Sequence, residues 1–237
     1  MARKLRVFAL GGSILAPQGP DVAYAEAFSR FLLERLALGE TALVVTGGGG
    51  PARQYIRAAR SAGVTEEVLD LLGIDATRLN ARFLATVAAR AAGPTVDLTL
   101  HRDVRSAAEA AERHRVVVMG GTEPGHSTDY VAAALATAAG ADHLYVLTNV
   151  DGVYTADPRK DPKAVRLPTL DSARLLEIVG QPAWTAGMTG VVDPRCAAHV
   201  HAKGLPLSVL DGRDVENVRA HLAGDRGVGS VVTPSAQ

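Results

Sequence analysis

The 237-residue chain reads as an α/β protein, an αβα sandwich built on a mainly parallel central sheet. Three observations predict it. Short β-branched apolar runs recur without polar alternation, the mark of strands buried on both faces. These runs alternate with segments of helical spacing, which is the pattern of a parallel sheet covered by helices. Four of the runs end in polar, glycine-rich loops, and in open parallel sheets ligands bind beyond the strand C-termini.

Taken in order, Leu5–Leu10 is a buried strand that runs into Gly11-Gly12-Ser13. Asp21 caps a helix over Val22–Leu38, with apolar residues three and four apart. Thr41–Thr46 is the next strand, followed by Gly47-Gly48-Gly49-Gly50 and a helix over Pro51–Ser61 that places Pro51 at its first position. Thr65 starts a long helix with Glu66 and Glu67 in its first turn, running to Ala92 with a possible kink at Gly73. Leu69, Leu72, Ala76, Leu79, Phe83 and Val87 form one stripe along it, expected as core or as a dimer surface. Pro94–Leu100 reads as a strand, Asp103–Arg113 as a helix and Arg115–Met119 as a buried strand ending in the loop Gly120–Asp129. An alanine-rich helix over Tyr130–Ala139 and a strand over Asp142–Thr148 follow, then the turn-rich loop Asn149–Pro158 and a surface hairpin over Arg159–Leu167. Helices over Asp171–Val179 and Asp193–Lys203 end at Gly180 and Gly204. Pro206–Leu210, Asp214–Leu222 and Val228–Val232 read as strand, helix and strand.

Composition narrows the function. The hydrophobic fraction of 47% is ample for a core, and the formal net charge is +0, so neither nucleic acid nor an anionic membrane surface is an expected partner. No apolar run is long enough to span a bilayer. The single cysteine, Cys196, excludes an internal disulfide and a cysteine-cluster metal site, and is expected to be a buried thiol. A cytoplasmic protein is the expectation. No Ser-His-Asp order, HExxH or paired-glutamate pattern is present.

What the sequence does offer is anion chemistry. A strand, a glycine turn and a helix N-terminus bring backbone N–H groups and the positive end of the helix dipole toward one point. Thr41–Arg53 has this form, with Arg53 one turn in as a charged fork, and Gly11-Gly12-Ser13 offers a second such turn. Two anion-binding turns and the Gly120–Asp129 loop on one sheet edge point to two phosphorylated ligands, or to a nucleotide facing a phosphate acceptor.

The same loops carry a resemblance. Leu10-Gly-Gly-Ser-Ile-Leu15, Gly47-Gly-Gly49 with Arg53, Asp70 with Gly73-Ile74, the Val118–Asp129 string containing GGTxPGHxTD, and Thr148–Pro158 with its TNVDGVYTADP string resemble the amino acid kinase superfamily over nearly the whole chain. Within it they are similar to archaeal-type uridylate (UMP) kinases. The resemblance implies one amino acid kinase domain over 1–237, acceptor-binding over roughly 1–140 and nucleotide-binding over roughly 141–237. It implies transfer of the ATP γ-phosphoryl group to UMP, with Mg²⁺, by a homo-oligomer, either a dimer or a hexamer. Gly11, Gly12, Ser13, Gly49 and Arg53 are then expected along the ATP phosphates, and Thr148, Asn149, Tyr154 and Asp157 around adenosine. Gly48 is expected at the UMP phosphate, Asp70 at the ribose, and Thr122, Glu123, Pro124, Gly125, His126, Ser127 and Thr128 around the acceptor. Arg53 and Asp129 are the expected catalytic residues, with Asp129 either in the Mg²⁺ environment or capping the next helix. Arg78 is expected as a solvated helix arginine, with reach into the UMP site as its alternative, and His126 as a loop donor, not a metal ligand.

The chain departs from the family pattern at Gly50, Glu123, Ala9 and the stretch Ala186-Gly187-Met188-Thr189, and the first two bear most on the chemistry. Gly50 stands where the family carries a lysine, leaving Arg53, Lys160 or Lys163 to supply charge, and Glu123 adds a negative charge to the acceptor loop. These departures keep two alternatives open: a sister kinase with another phosphate or carboxylate acceptor, and a non-catalytic ATP-binding storage or regulatory protein related to molybdenum storage protein.

Overall fold

The computed structural model describes residues 4–156, 161–180 and 191–235. Among these residues the main sheet has eight strands in the order β3-β4-β2-β1-β5-β9-β10-β8. Its parallel body is β3 (Val96–Asp97), β4 (Val116–Met119), β2 (Thr41–Thr46), β1 (Leu5–Leu10), β5 (Leu144–Thr148) and β9 (Leu207–Asp211). β10 (Ser230–Thr233) turns antiparallel against β9, and β8 (Thr169–Asp171) lies parallel to β10 at the edge. β6 (Val153–Tyr154) and β7 (Arg166–Leu167) form a separate antiparallel ladder; only β7 falls within the hairpin expected over Arg159–Leu167, and its partner β6 lies in the stretch read as a loop.

Both faces of the sheet are covered, which is why its strands lack polar alternation. Successive residues point to opposite faces. Val7 and Ala9 of β1 enter the core under α5 (Val104–Ala110), α6 (Thr128–Ala139), α7 (Ser172–Val179) and α8 (Pro194–Lys203). Phe8 and Leu10 enter the opposite core, under α2 (Val22–Ala37), α4 (Glu66–Ala92) and α9 (Val215–Leu222). There Phe8 packs edge-on to Phe28 and Phe31 and stacks on Tyr145. Aspartates cap several helices: Asp21, Asp103, Asp171, Asp193 and Asp214 each accept a backbone N–H from the first turn.

Four expectations change. Gly12 and Ser13, read as part of a glycine turn, belong to a short helix, α1 (Gly12–Leu15), whose Ile14 and Leu15 are drawn into the core. The helix after β2, α3 (Gly49–Ser61), begins two residues before Pro51, which therefore occupies its third position. That is still tolerated, since the first N–H groups of a helix have no intrahelical acceptor. The strand expected over Pro94–Leu100 shrinks to Val96–Asp97, because the Asp97 carboxylate takes the Thr99 N–H at 2.8 Å and the His101 ring at 2.8 Å, turning the chain away. Finally, the α4 stripe does not stay on one face. Leu69 and Ala76 are buried against α3, but farther on Ala81, Leu84, Ala85 and Ala88 face the core and Leu79 is 67% exposed. The helix crosses from one partner to the next, so its buried face rotates with it.

Candidate functional site

β4, β2, β1 and β5 are parallel neighbours, so their C-terminal loops share one edge. Between those loops lies a cleft of about 640 Å³. Gly11, Gly12, Ser13, Gly48, Gly49 and Arg53 line one side, and Asp70, Glu123, His126, Ser127, Thr128 and Asp129 line another. Thr148 at the end of β5, Asn149 after it and Tyr154 on β6 also line it. Thr122, Pro124 and Gly125 are not on its wall, and Asp157 lies outside the described residues.

The glycines at its base have a structural cause as well as a binding one. The turn after β1 and the turn after β2 rest backbone on backbone. A Cβ on Gly12 would lie 2.2 Å from Gly49 N, and one on Gly49 would lie 2.3 Å from the carbonyls of Ala16 and Gly12. Gly49 also has φ +64°, a conformation that side chains resist. Gly50 has no room for the lysine expected from the resemblance, since its Cβ would meet Pro17 O at 2.4 Å and Gln18 Cα at 2.8 Å. Its N–H donates to Ala16 O at 2.8 Å and is therefore not offered to a ligand. The positive charge instead comes from Arg53, the one arginine or lysine on the cleft wall among the described residues. Its Nη2 donates to Pro17 O at 3.3 Å, which holds it beside the glycine turn. Lys163 does not line the cleft, and Lys160 lies outside the described residues.

α4 holds the loops in register. The Thr46 hydroxyl donates to Thr77 O at 2.9 Å, and Asn80 Nδ2 donates to Gly47 O at 2.7 Å. The Thr77 hydroxyl donates to Ile74 O and accepts the Gly121 N–H, both at 2.6 Å. Arg78 is not a solvated helix arginine. Its guanidinium is mostly buried and donates to Gly121 O at 3.2 Å and Thr122 O at 2.9 Å. Asp70 accepts the Gly125 N–H at 2.8 Å, and Arg195 donates to Gly125 O at 2.7 Å. Thr122 and Gly125 thus serve to fix the loop's path. Glu123, exposed at 68%, is partnered by His126, whose Nδ1 lies 3.1 Å from Oε1.

Ser127, not Asp129, caps α6, accepting the Tyr130 N–H at 3.1 Å. Asp129 is left on the cleft wall in the first turn of α6. Burial and the neighbouring Asp193 carboxylate push its carboxyl up to about 7, against the pull of the Asp193 backbone N–H. Asp193, on the same wall, is a residue the sequence reading placed only as a helix start. The Asp-Pro dipeptide signals a cap and not a site, and nothing local tells that α8 brings it to Asp129. Cys196 is buried, and burial with both carboxylates raises its thiol well above the ordinary range, so it is inert. Tyr154 donates to Asp151 Oδ1 at 2.9 Å and lines the cleft as a half-buried ring.

The arrangement can cradle anions at the turns before α1 and α3 and place two polyanionic ligands in one cleft. Comparison with known proteins agrees. The family model described as the amino acid kinase family matches residues 4–211. The chain is 46% identical over 228 residues to the uridylate kinase of Methanospirillum hungatei, covering 96% of this chain and 94% of that one. It is 41% identical over 232 residues to the uridylate kinase of Natronomonas pharaonis, covering 97% and 98%. The crystal structure of the Archaeoglobus fulgidus uridylate kinase superposes with a TM-score of 0.83 at 37% identity, over 97% of this chain and 100% of that chain. The parallel sheet, the glycine turns at its edge and these matches over nearly the full length place the chain in the amino acid kinase family.

Proposed function

We propose that the protein is an ATP-dependent UMP kinase, transferring the γ-phosphoryl group of ATP to UMP to give UDP in pyrimidine nucleotide metabolism. The observation that carries this reading is the single cleft in which both glycine turns, Arg53, Asp70 and the 121–129 loop meet. Relatives named uridylate kinases over nearly the whole length support it.

The acceptor phosphate is already an anionic nucleophile at neutral pH, so the protein needs no general base. It must align two polyanions and offset the charge that builds between them. Residues 1–140 supply the acceptor side and 141–237 the adenosine side. The Gly12, Ser13 and Gly49 N–H groups and Arg53 meet the ATP phosphates, Gly48 meets the UMP phosphate, and Asp70 meets the ribose. Thr148, Asn149 and Tyr154 receive adenosine. Mg²⁺ fits the donor set: Asp129 and Asp193 are paired carboxylates on the cleft wall whose mutual repulsion a divalent cation relieves. Those two residues would hold it, and it would neutralise phosphate charge. No helix among the described residues is long and apolar enough to cross a membrane. The setting is the cytoplasm, and the working form is a homo-oligomer.

Purified protein with ATP, Mg²⁺ and UMP is expected to yield UDP, read by ³¹P NMR. A protein that leaves UMP untouched while phosphorylating another acceptor in a panel of nucleotides, small phosphates and carboxylates refutes the reading.

A further inference from the structure

One wall of the cleft is carried by a piece of chain outside the main sheet. β6 and β7 have two residues each and, among the described residues, ladder only with one another. So short a ladder is too weak to hold its own place. Yet Val153, fully buried, and Tyr154 both line the cleft. Their position comes from elsewhere, and the hydrogen bonds lead to the start of β10.

Ser230, the first residue of β10, is fully buried, and its Oγ accepts the Val153 N–H at 2.8 Å. The approach is so close that a Cβ on Gly152 would lie 2.5 Å from Ser230 Oγ. Arg166 of β7 reaches the turn just before β10. Its Nη1 donates to Gly229 O, and its Nη2 donates to Gly227 O at 3.0 Å. Its Nε lies 3.9 Å from Asp151 Oδ2, and Asp151 Oδ1 accepts the Tyr154 hydroxyl at 2.9 Å. Two lines thus run from one turn to the cleft, one to the Val153 backbone and one through Arg166 and Asp151 to the Tyr154 ring. The turn itself is pinned to the sheet. Ser230 pairs with Val209 of β9, and a Cβ on Gly229 would meet Leu210 Cδ2 at 2.3 Å and Val209 O at 2.6 Å. β9 in turn pairs with β5, whose Thr148 lines the cleft.

We propose that Ser230 and Arg166 are positioning residues for nucleotide binding: neither lines the cleft, and each holds in place a group that does. This rests on the reading that Thr148, Asn149 and Tyr154 receive adenosine. A wall that swings away must be drawn back each time the nucleotide binds, and the apparent affinity falls with the fraction of molecules whose wall is in place. The acceptor side is attached to α4 through Thr77, Arg78 and Asp70, a route that does not pass through this turn, so it does not share the loss.

Calorimetric titration with AMP-PNP and Mg²⁺, and separately with UMP, tests this; AMP-PNP is an ATP analogue that does not give up its phosphoryl group. Ser230→Ala is expected to weaken AMP-PNP binding by about tenfold, the scale of one buried N–H left without an acceptor, and to leave UMP binding within about twofold. Ser230→Thr, which keeps the hydroxyl on a residue suited to a strand, is expected to recover most of the loss. Arg166→Met removes the guanidinium but keeps the stem beside Gly152, and is expected to act in the same direction by less, because Ser230 still holds β6. In turnover the same variants raise KM for ATP and leave KM for UMP. Unchanged AMP-PNP affinity in either Ser230→Ala or Arg166→Met, equal weakening of both ligands, or a wild type that binds no AMP-PNP overturns the proposal. A wild type that binds AMP-PNP but forms no UDP fails the functional reading alone. The AMP-PNP titrations of the two Ser230 variants then decide the inference: loss in Ser230→Ala with recovery in Ser230→Thr upholds it, and no loss overturns it.

Discussion

Arg53 is an exposed residue on α3, yet its neighbours give it a function that exposure alone would not. It stands on the cleft wall beside Gly48 and Gly49, tethered to Pro17 O. With no lysine possible at Gly50 it is the cation we propose to meet transferring phosphoryl charge. Arg53→Gln is expected to lower kcat by roughly 100-fold or more, the scale for removing one preorganised donor to transition-state charge. Urea unfolding of the same variant should agree with the wild type within about 0.5 kcal/mol, since the side chain is exposed. A stable variant with unchanged kcat would remove Arg53 from the chemistry. The local sequence made Arg53 legible, because a glycine turn, a helix start and an arginine one turn in form a continuous string. Gly50 was legible only as a departure. That the 16–18 backbone fills the space of its side chain depends on contact between segments more than thirty residues apart, and no local pattern encodes it.

At the scale of elements, α4 is the part that makes separate loops into one site. Thr77 shows how. Its hydroxyl is buried between Ile74 O and Gly121 N, while its own carbonyl receives the Thr46 hydroxyl. Thr77→Val keeps the shape but leaves the Gly121 N–H without an acceptor, which costs about 1 to 3 kcal/mol. The loss should appear in urea unfolding and as a raised KM for the acceptor, with KM for ATP changing less. Thr77→Ser, which restores the hydroxyl, should recover both. Equal effects on the two KM values would deny α4 its selective hold on the acceptor loop. The sequence foretold α4 itself, through Thr65, the two glutamates after it and a long apolar period. It did not foretell which residues of α4 look inward past Ala76, because the helix changes partners partway along. Nor did it show Arg78 as a buried clamp, since an arginine on a helix is ordinarily solvated and its carbonyl acceptors belong to a loop 43 and 44 residues away. Regular strands and helices follow from local periodicity; the clamps between them follow from tertiary contact.

On the scale of the whole molecule, the sheet edge opposite the cleft carries a buried polar ladder that ties stability to pH. Arg6 bonds Glu40 Oε1 at 2.8 Å and the Tyr145 hydroxyl. Next along the sheet, Ser208 Oγ lies 2.8 Å from both His143 Nε2 and His221 Nε2, and His221 Nδ1 lies 2.9 Å from Val228 O. A carbonyl only accepts, so His221 Nδ1 carries a proton. In its neutral form His221 then takes the Ser208 hydroxyl proton at Nε2, and Ser208 accepts from His143. Burial, His221, Arg6 and Arg226 push His143 down to about 4 from its ordinary 6.5, and burial lowers His221 as well. The unfolded chain thus takes up protons at His143 below about pH 6.5 where the folded chain does not. This stabilisation is full above that pH and is lost as the pH falls toward 4. Asp129 acts in the opposite sense, because its raised folded value favours the folded state as the pH drops below about 7. The wild type alone therefore hides both effects. His143→Gln removes one and leaves the other. The difference in unfolding free energy between wild type and His143→Gln should shrink by about 1 to 2 kcal/mol between pH 7 and pH 5, as the histidine contribution fades. Urea titrations of both proteins at the two pH values check it. A difference that stays constant, or grows as the pH falls, would show that His143 is not held neutral by this ladder.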